Sequence, residues 1–344
     1  MSKVAVVIVN YRAAALTLDA VASVARQRGD LPDLRCVVVD GGSGDGSADI
    51  IARGLDDPAF HGWASLLALE INGGFGWANN QAMLRLMQGD DPPDYIHLLN
   101  PDAIVQPGAI RALADVLDAH PRCGAVGSLL LDPDGQPSGS AFRFPTLPRE
   151  FVRGSKMAAT ARLFRIEPIL IPIGRSGPAD WVTGASVMLR AAALKESGLF
   201  DDGFFLYFEE VELMWRLTRA GWSVRHEATS RVAHVGGAAT GVNMSGRLAK
   251  RPPLPSYWYA SRRRLYTRLW GPAGSAGANA AWLAGRTLSM VRLLTPYRIR
   301  PIEVEHETRD LIRHGMVPKA RDFRAAVVRW TDPPGVPPAW MREA

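Results

Sequence analysis

Cysteine is scarce in this sequence, with only Cys36 and Cys123 among 344 residues. Two thiols cannot form a disulfide framework or a zinc site of four cysteines, and they favour a reducing compartment. Cys36 lies in an apolar run and is expected to be buried. No uncharged apolar run reaches 18 residues, because Arg286 and Arg292 interrupt the best candidate, so no membrane-spanning helix is expected. The first ten residues are too short for a signal peptide.

Acidic residues are missing from one long segment. Residues 247–300 hold 11 Lys and Arg and no Asp or Glu, whereas residues 1–246 carry 22 basic and 27 acidic residues. The net charge of +6 therefore belongs to a C-terminal segment, which predicts that one face meets something anionic. No recognised nucleic-acid-binding module accompanies it, so a nucleic-acid partner is not expected. With 47% hydrophobic and 22% charged residues, the chain is typical of a folded globular protein.

Apolar runs alternate with segments of helical periodicity in the first 130 residues. Strands are predicted at 3–10, 35–40, 65–71 and 95–100, and helices at 14–26, 47–53, 76–87 and 108–119. This order predicts an α/β fold, Rossmann-like, whose mostly parallel sheet is covered by helices on both faces. Ligands bind such sheets at the carboxyl ends of the strands. The polar residues at those ends are Asn10, Asp40, Asn72, Asn100 and Asp102.

The regular alternation of predicted strands and helices ends after Asp132. Residues 133–180 are rich in Pro, Arg and Gly and are predicted to form an acceptor-side loop region. A strand is predicted at 181–190, a helix at 208–220 that ends at Gly221, and a strand at 222–227. Residues 280–294 are predicted to form an amphipathic helix.

Two short motifs follow buried strands. The glycine-rich turn at 40–47 fits neither the dinucleotide fingerprint nor the P-loop, so it is either a tight turn capped by Asp45 and Ser47 or a close approach for a nucleotide. In Asn100-Pro101-Asp102, the carboxylate can reach a divalent cation on a diphosphate, although a plain turn is the alternative. Asp132-Pro-Asp-Gly135 has the residues of a simple turn.

Three acids, Glu209, Glu210 and Glu212, begin a predicted helix between aromatic residues. The helix dipole favours acids there. An apolar frame can also raise a carboxyl pKa, as a general base requires. His234 follows a strand and is a structural residue unless it faces Asp102 across the crevice.

Seven sequence blocks occur in one order, and together they resemble glycosyltransferase family 2 with the A-type glycosyltransferase (GT-A) fold. The blocks are Asn-Tyr after a strand, Asp-Gly-Gly-Ser-Gly-Asp-Gly-Ser, Asn-Gly-Gly-Phe-Gly-Trp-Ala-Asn-Asn, Leu-Leu-Asn-Pro-Asp, Trp-Val-Thr-Gly-Ala, Phe-Phe-Leu-Tyr-Phe-Glu-Glu-Val-Glu-Leu and His-Val-Gly-Gly. They cover about residues 3–270. The chain most resembles the rhamnosyltransferase-like branch, which builds bacterial cell-surface polysaccharides.

The resemblance implies a role for each matching residue. Glu210 aligns with the general base, and Asp102, with His234, would hold Mg²⁺ or Mn²⁺ on the donor diphosphate. The segment from Asn72 to Asn80 would line the donor site. The implied donor-binding residues are Asn10, Asp40, Asn72, Gly73, Gly74, Asn80, Asn100 and Asp102, and the acceptor-side residues are Trp181, Gly184 and Glu209.

Three positions depart from the family pattern. Asn100 replaces the first acid of the metal motif, Glu210 stands where Asp is usual, and Asp40 is followed by Gly-Gly-Ser where the branch often has Asn-Gly-Ser. The implied reaction is inverting transfer of a sugar, with dTDP-L-rhamnose as the expected donor and a saccharide or polyprenyl-linked acceptor. UDP-galactofuranose or UDP-hexosamine donors, or a non-catalytic sugar-nucleotide-binding protein, are the alternatives.

The basic segment leads to a hypothesis about location. Residues 256–270 interleave Tyr and Trp with Arg, a pattern that suits an anionic membrane surface, although a helix packed on the catalytic domain is the alternative. We therefore expect a cytoplasmic protein that is peripheral at the inner face of the cell membrane. The expected organisation is a catalytic domain at 1–240, with a donor half at about 1–132 and an acceptor half at about 133–240. A basic, helical, membrane-proximal extension would follow at 241–344.

Overall fold

The first apolar run forms a central strand in the computed structural model, which describes residues 2–236, 250–292, 303–317 and 319–342. In chain order the strands are β1 (Val4–Asn10), β2 (Arg35–Asp40), β3 (Ala64–Ala68), β4 (Tyr95–Leu99), β5 (Ala103–Val105), β6 (Cys123–Leu131), β7 (Pro137–Ser138), β8 (Ala141–Phe142), β9 (Gly177–Ala179), β10 (Trp181–Val182), β11 (Ser186–Arg190), β12 (Ser223–His234), β13 (Lys250–Arg251) and β14 (Glu303–Val304). The helices are α1 (Ala14–Ala25), α2 (Ser47–Leu55), α3 (Phe75–Gln88), α4 (Ala109–Ala119), α5 (Leu147–Ser155), α6 (Ala158–Leu163), α7 (Ala191–Ser197), α8 (Glu209–Arg219), α9 (Ser256–Arg292), α10 (Glu307–Asp310), α11 (Ala320–Phe323) and α12 (Ala339–Arg342).

Within the described residues, ten strands form one sheet with the order β3-β2-β1-β4-β11-β6-β12-β5, while β7 pairs with β6 and β9 with β12. Strands β1 to β4 are mutually parallel, and β12 is parallel to β6. Strand β11 lies antiparallel between β4 and β6. The predicted α/β architecture with a mostly parallel sheet is confirmed.

Helices cover both faces of the sheet, which explains the continuous apolar runs. Val6 and Ile8 of β1 pack into one core with side chains of α1, α2 and α4. Val7, between them, packs into the second core with side chains of α3, α7 and α8. Because successive side chains of a strand point to opposite faces, a strand buried on both faces must be apolar throughout. Cys36 is buried as expected, and desolvation raises the pKa of its thiol to about 12.

Several local predictions differ from the structure. Ser47 was predicted to cap α2 but is the first residue of the helix. The N-cap position is taken by Gly46, which has a φ of 86°. The strand predicted at 181–190 is two strands, β10 and β11. Residues 133–180 contain α5 and α6 in addition to loops, and α5 packs along α9. The turn at Asp132–Gly135 is confirmed, because the Gly135 amide donates to the Asp132 carbonyl (2.9 Å).

The C-terminal helix α9 is longer than predicted and is broken at Gly271, which has a φ of 72°. Its three consecutive arginines are buried and point to three different partners. Arg262 pairs with Glu150 of α5, Arg263 with Asp322 of α11, and Arg264 with Asp201. The expectation that these arginines meet a membrane surface is wrong. Because neighbouring residues of a helix are about 100° apart, one triplet fastens α9 to three parts of the chain.

No helix in the described ranges is both long and apolar enough to cross a membrane.

Candidate active site

The carboxyl ends of β1 and β2 carry a buried polar network. Asn10 Nδ2 donates to Asp40 Oδ1 (2.6 Å), and the Ser43 hydroxyl donates to the same oxygen (2.6 Å). The Asn10 side-chain oxygen accepts from the Thr17 hydroxyl and the Ala13 amide, which anchors the start of α1. The register pairs Asn10 with Asp40. These hydrogen bonds hold the side chains at the ends of β1 and β2 in fixed positions. They place Asn10 and Asp40, the two residues predicted to contact the nucleoside, side by side.

A second polar group lies where β4 and β12 end. His234 Nε2 is 3.2 Å from Asp102 Oδ1 and 3.2 Å from Asn100 Nδ2. The pairing of β12 with β5 brings His234 opposite Ala103, immediately after Asp102. Asp102 is only 6% exposed. The condition stated for His234, that it faces Asp102, is therefore met.

These residues fit a divalent cation that takes its other ligands from a diphosphate and water. Mg²⁺ in nucleotide sites is held by one or two carboxylates plus substrate phosphates, and two ligands at right angles about 2.1 Å from it lie about 3 Å apart. The separation of Asp102 and His234 matches that spacing. The described residues contain no group of three or more His, Cys, Asp and Glu side chains arranged for a metal.

The acidic helix start follows a strained turn. Tyr207 and Phe208 have φ values of 71° and 70°, a region that bulky residues rarely adopt. Such strain persists only where surrounding structure imposes it, and it clusters at functional sites. Glu210 then lies next to the predicted acceptor-side residue Gly184, because a Cβ atom on Gly184 would be 4.0 Å from Glu210 Cβ and 3.4 Å from the Phe75 ring.

Two of the acids have the electrostatics of a poised base. Desolvation raises the pKa of Glu210 to about 7. Burial, reinforced by the charge of Glu210, raises the pKa of Glu209 well above its usual value. The Oε2 atoms of both residues are buried and lack a hydrogen-bond partner among the described residues. Glu210 remains partly exposed, whereas Glu209 is only 3% exposed and lies near Gly76. Of these two acids, Glu210 is the one that combines a raised pKa with solvent exposure.

The third acid, Glu212, has a structural role. Its carboxylate accepts two hydrogen bonds from Arg216 Nε (2.8 and 2.9 Å), and its side chain is fully buried. Arg216 also donates to the carbonyls of Ser197, Gly198 and Leu199, so the pair joins α8 to the segment that follows α7. Although Arg216 opposes it, burial is the larger effect and raises the Glu212 pKa.

The Asn100–Asp102 turn and the start of α8 lie on either side of one short segment, residues 181–185. The Asn100 amide donates to the Ala185 carbonyl (2.9 Å), and Gly184, the preceding residue, lies beside Glu210. Trp181, at the other end of this segment, stacks on Phe142 with the ring centroids 4.2 Å apart. Trp181 is partly exposed, so this stacked pair can form one wall for an acceptor sugar.

The two ends of the segment from Asn72 to Asn80 differ in exposure, since Asn72 is partly exposed and Asn80 is buried. The Asn72 side chain accepts from the Gly74 amide (3.1 Å) and stays partly exposed at the sheet edge. Asn80 is fully buried, and its amide hydrogen-bonds Phe200 and Asp202. Both N–H donors of the Asn80 side chain are therefore used within the fold.

The C-terminal residues reach the same place, which the sequence did not indicate. Trp340 Nε1 donates to the Gly73 carbonyl (3.2 Å), and Trp77 Nε1 donates to the Val336 carbonyl (2.8 Å). The Trp340 ring packs edge-on against Phe205, with centroids 5.3 Å apart. These contacts join residues more than 130 positions apart, and no local pattern signals them.

Comparison with known proteins identifies the family of this chain. Residues 5–170 match the family model described as glycosyl transferase family 2. The chain is 32% identical over 246 residues to an N-acetylglucosaminyl-diphospho-decaprenol L-rhamnosyltransferase of Mycobacterium tuberculosis, an alignment that covers 67% of this chain and 76% of the relative. Two strains of that species carry relatives of this description with the same identity.

Solved structures with low sequence identity share the fold. A mannosyltransferase from Pyrobaculum calidifontis, in complex with GDP-Man and Mn²⁺, has a TM-score of 0.53 at 15% identity and covers 91% of this chain and 79% of its own. GalNAc-T7 with UDP, GalNAc and Mn²⁺ has a TM-score of 0.58 at 14% identity and covers 91% of this chain and 54% of its own. The architecture is the GT-A fold.

Proposed function

Because this chain belongs to glycosyltransferase family 2 and is a glycosyltransferase, we propose that it transfers L-rhamnose from dTDP-L-rhamnose, with inversion at the anomeric carbon. The acceptor is an N-acetylglucosamine linked through a diphosphate to a polyprenyl lipid. The relative from Mycobacterium tuberculosis, whose name states this sugar and this acceptor class, supports the choice of substrates. The product belongs to cell-surface polysaccharide synthesis.

The position of Glu210 is the observation that carries the reaction. One of its carboxylate oxygens is buried and has no hydrogen-bond partner in the part of the chain that the structure describes. Its pKa is raised to about 7, and its side chain lies beside Gly184. A carboxylate with this pKa accepts a proton near neutral pH more readily than an ordinary glutamate. We assign Glu210 as the general base.

The chemistry is a single displacement. Glu210 removes the proton from the acceptor hydroxyl. At the same time the acceptor oxygen forms a bond to the anomeric carbon, on the face opposite the leaving group. The bond from that carbon to the donor diphosphate breaks, and dTDP carries away the electron pair. No covalent enzyme intermediate forms, so one acid is sufficient for the proton transfer.

Asp102 and His234 would hold Mg²⁺ or Mn²⁺ against the donor diphosphate. Such a cation, when bound, offsets the negative charge that develops on the departing diphosphate. Asn100 contributes an amide next to this pair instead of a second carboxylate. Asp40, held by Asn10 and Ser43, would orient the nucleoside at the neighbouring strand end.

We also propose where the enzyme works. A polyprenyl-linked acceptor stays in the membrane, so a protein that uses it must come to the bilayer surface. We place the enzyme as a peripheral protein at the cytoplasmic face, where nucleotide sugars are available.

A donor panel tests the proposal. Purified protein is heated with dTDP-L-rhamnose, UDP-galactofuranose or UDP-N-acetylglucosamine, each with Mn²⁺ or EDTA, and Tm is measured. Because a ligand that binds only the folded state raises Tm, dTDP-L-rhamnose with metal should give the largest shift. Product formation is then followed on a short-chain prenyl-diphosphate N-acetylglucosamine. A preference for a UDP-sugar would refute the donor assignment, and absence of transfer with every donor would refute catalysis.

A further inference from the structure

A pocket of about 480 Å³ opens beside the catalytic loop, defined here as residues 203–208. The start of α9 lines one part of it, residues within 313–317 and 319–322 line another, and Trp340 also contributes to the lining. Gly203 and Phe205 supply the side that belongs to the catalytic loop. None of the residues assigned above to the donor or to the cation lines this pocket. It is therefore a separate space next to the active site.

The pocket is strongly cationic. Arg313, His314, Lys319 and Arg321 line it, and its single acid, Asp322, is paired with Arg263. In the described part of the chain, no carboxylate lies within ion-pair distance of Arg313, Lys319 or Arg321, and Arg313 and Lys319 are exposed. Several cations without a counter-ion around one cavity create a positive potential that attracts a multiply charged anion.

Aromatic rings lie next to these charges. Phe205 packs against Tyr257 and Trp340, with both pairs of centroids 5.3 Å apart, and all three residues line the pocket. Aromatic faces provide apolar surface for a sugar ring or for the first units of a prenyl chain. The ligand that fits this lining therefore combines an anionic group with an apolar one.

The pocket is also connected to the base. Phe205 is five positions before Glu210 in the chain, and Tyr257 stacks near Tyr207 with centroids 6.1 Å apart. The Ser261 hydroxyl donates to the Leu206 carbonyl (2.8 Å), which fixes α9 against the catalytic loop. The catalytic loop therefore connects the lining of the pocket to the start of the helix that carries Glu210.

We propose that this pocket binds the diphosphate of the polyprenyl-diphosphate acceptor, with Arg313, Lys319 and Arg321 as the phosphate ligands and the aromatic residues against the first prenyl units. This assignment rests on the proposed function, because it presupposes a diphosphate-linked acceptor. It gives the C-terminal residues 303–342 a role in substrate recognition. The acceptor then spans the boundary between the catalytic loop and the C-terminal segment.

The first test compares acceptors. The triple variant Arg313→Gln, Lys319→Gln, Arg321→Gln should raise KM for a farnesyl-diphosphate N-acetylglucosamine at least ~10-fold, since charge-assisted bonds to phosphate are strong. Its kcat, its KM for the donor and its KM for neutral octyl N-acetylglucosaminide should not change. The matched control, Arg53→Gln, Arg162→Gln, Arg175→Gln, removes the same charge from exposed positions and should behave as wild type. An equal rise of KM for the neutral acceptor overturns the proposal.

The second test does not depend on transfer. Farnesyl diphosphate is titrated by calorimetry into protein saturated with dTDP, which blocks the donor site. Wild type and the control triple variant should bind it, and the pocket variant should lose at least ~10-fold in affinity. This binding survives even if rhamnose transfer is refuted, so the two failures are distinguishable. The proposal is overturned if wild type does not bind farnesyl diphosphate or if the pocket variant binds it normally. It is equally overturned if the pocket variant loses only binding to anionic vesicles, which would assign the cations to lipid headgroups.

Discussion

A Cβ atom on Gly74 would lie 1.9 Å from the carbonyl oxygen of Phe205. The same carbonyl accepts a hydrogen bond from the Phe75 amide (3.2 Å). The glycine of the predicted donor segment therefore permits a backbone contact with the catalytic loop. Because Glu210 follows this loop, the fit of Gly74 against Phe205 helps to set the position of the base.

Gly74→Ala should lower kcat at least ~10-fold and reduce stability. The new methyl group would collide with backbone, which cannot move aside as a flexible side chain could, and the φ of 91° disfavours any residue with a Cβ. Gly62→Ala is the matched control, since Gly62 has a φ of 78° and open space around it. If both variants lose the same activity, backbone strain alone explains the effect and the contact with Phe205 is unimportant.

Glu210→Gln should reduce transfer by at least ~10²-fold, because it keeps the shape of the side chain and removes its ability to accept a proton. Binding of dTDP-L-rhamnose, measured by calorimetry, should persist. Glu209→Gln should keep most activity, since Glu209 is too buried to meet a substrate. Near-normal transfer by Glu210→Gln, together with a large loss in Glu209→Gln, would move the role of base to the neighbouring acid.

The pH profile provides an independent check on the same residue. A base must be deprotonated, so kcat/KM should rise with pH through about 7, the raised pKa of Glu210. The free energy of unfolding should change in the opposite direction and fall as the pH rises. In the folded protein the Glu210 carboxyl keeps its proton up to about pH 7, whereas in the unfolded chain it loses the proton near the usual pKa of glutamate. Ionisation of Glu210 therefore destabilises the fold as pH rises across that window. Glu210→Gln should be more stable than wild type at pH 8, and the difference should shrink at pH 5.

Asp102→Ala should abolish the part of donor binding that requires a divalent cation. Asp102 offers the carboxylate of this pair, and His234 supplies a nitrogen that favours Mn²⁺ over Mg²⁺. Calorimetry with dTDP-L-rhamnose, with and without Mn²⁺, separates the metal-dependent component from direct contacts. His234→Asn should weaken this component less than Asp102→Ala does. Full activity of the wild type in EDTA would contradict the metal site.

The buried pair of Arg264 and Asp201 predicts a stability effect in the C-terminal helix. Arg264 Nη2 is 2.6 Å from Asp201 Oδ1, and both side chains are at most 3% exposed. Arg264→Met should lower the free energy of unfolding by about 3–5 kcal/mol, because it leaves a buried carboxylate with weaker compensation from Arg268. Arg286→Met breaks the more exposed pair with Glu303 and should cost less than about 1 kcal/mol. Urea unfolding measures both, and equal losses would contradict the role of burial.

The sequence was sufficient for the first four strands of the sheet, β1 to β4, whereas it did not predict β5 and β6 and it merged β10 with β11. Strand β1 is apolar throughout because both of its faces are buried, and that pattern is local. Asp102 and His234 could be placed at strand ends from the sequence, while their shared role came from the family resemblance. The raised pKa of Glu210 also follows from a local feature, the aromatic residues around an acid.

Long-range partners could not be read from the sequence. The acids that neutralise Arg262, Arg263 and Arg264 are 59 to 112 positions away, so the triplet was interpreted as a surface charge cluster. The packing of Trp340 on Phe205 and the use of Asn80 inside the fold depend in the same way on contacts between distant segments. Only the folded chain shows which charged or amide groups have already found a partner.

Burial of the arginine triplet changes which residues of α9 can meet a membrane. Leu288, Met290 and Val291 are 38%, 58% and 53% exposed near the end of the helix. Exposed apolar side chains close to basic residues suit the surface of an anionic bilayer. Arg286 and Arg292 flank these positions in the sequence, and Arg298 and Arg300, which lie outside the described residues, follow them.

Flotation with liposomes should recover the protein at low salt with anionic vesicles and not with neutral ones, since each cation near an anionic leaflet contributes about 1 kcal/mol. Met290→Glu with Val291→Glu should reduce the recovery, because the new charges oppose both insertion and attraction. Ile50→Glu, which changes an exposed apolar residue on α2, should not. Deletion of 247–300 is unsuitable, because it removes the buried arginines and should unfold the protein. If the wild type does not float with anionic vesicles at low ionic strength, the peripheral-membrane proposal is wrong and a water-soluble acceptor becomes the better hypothesis.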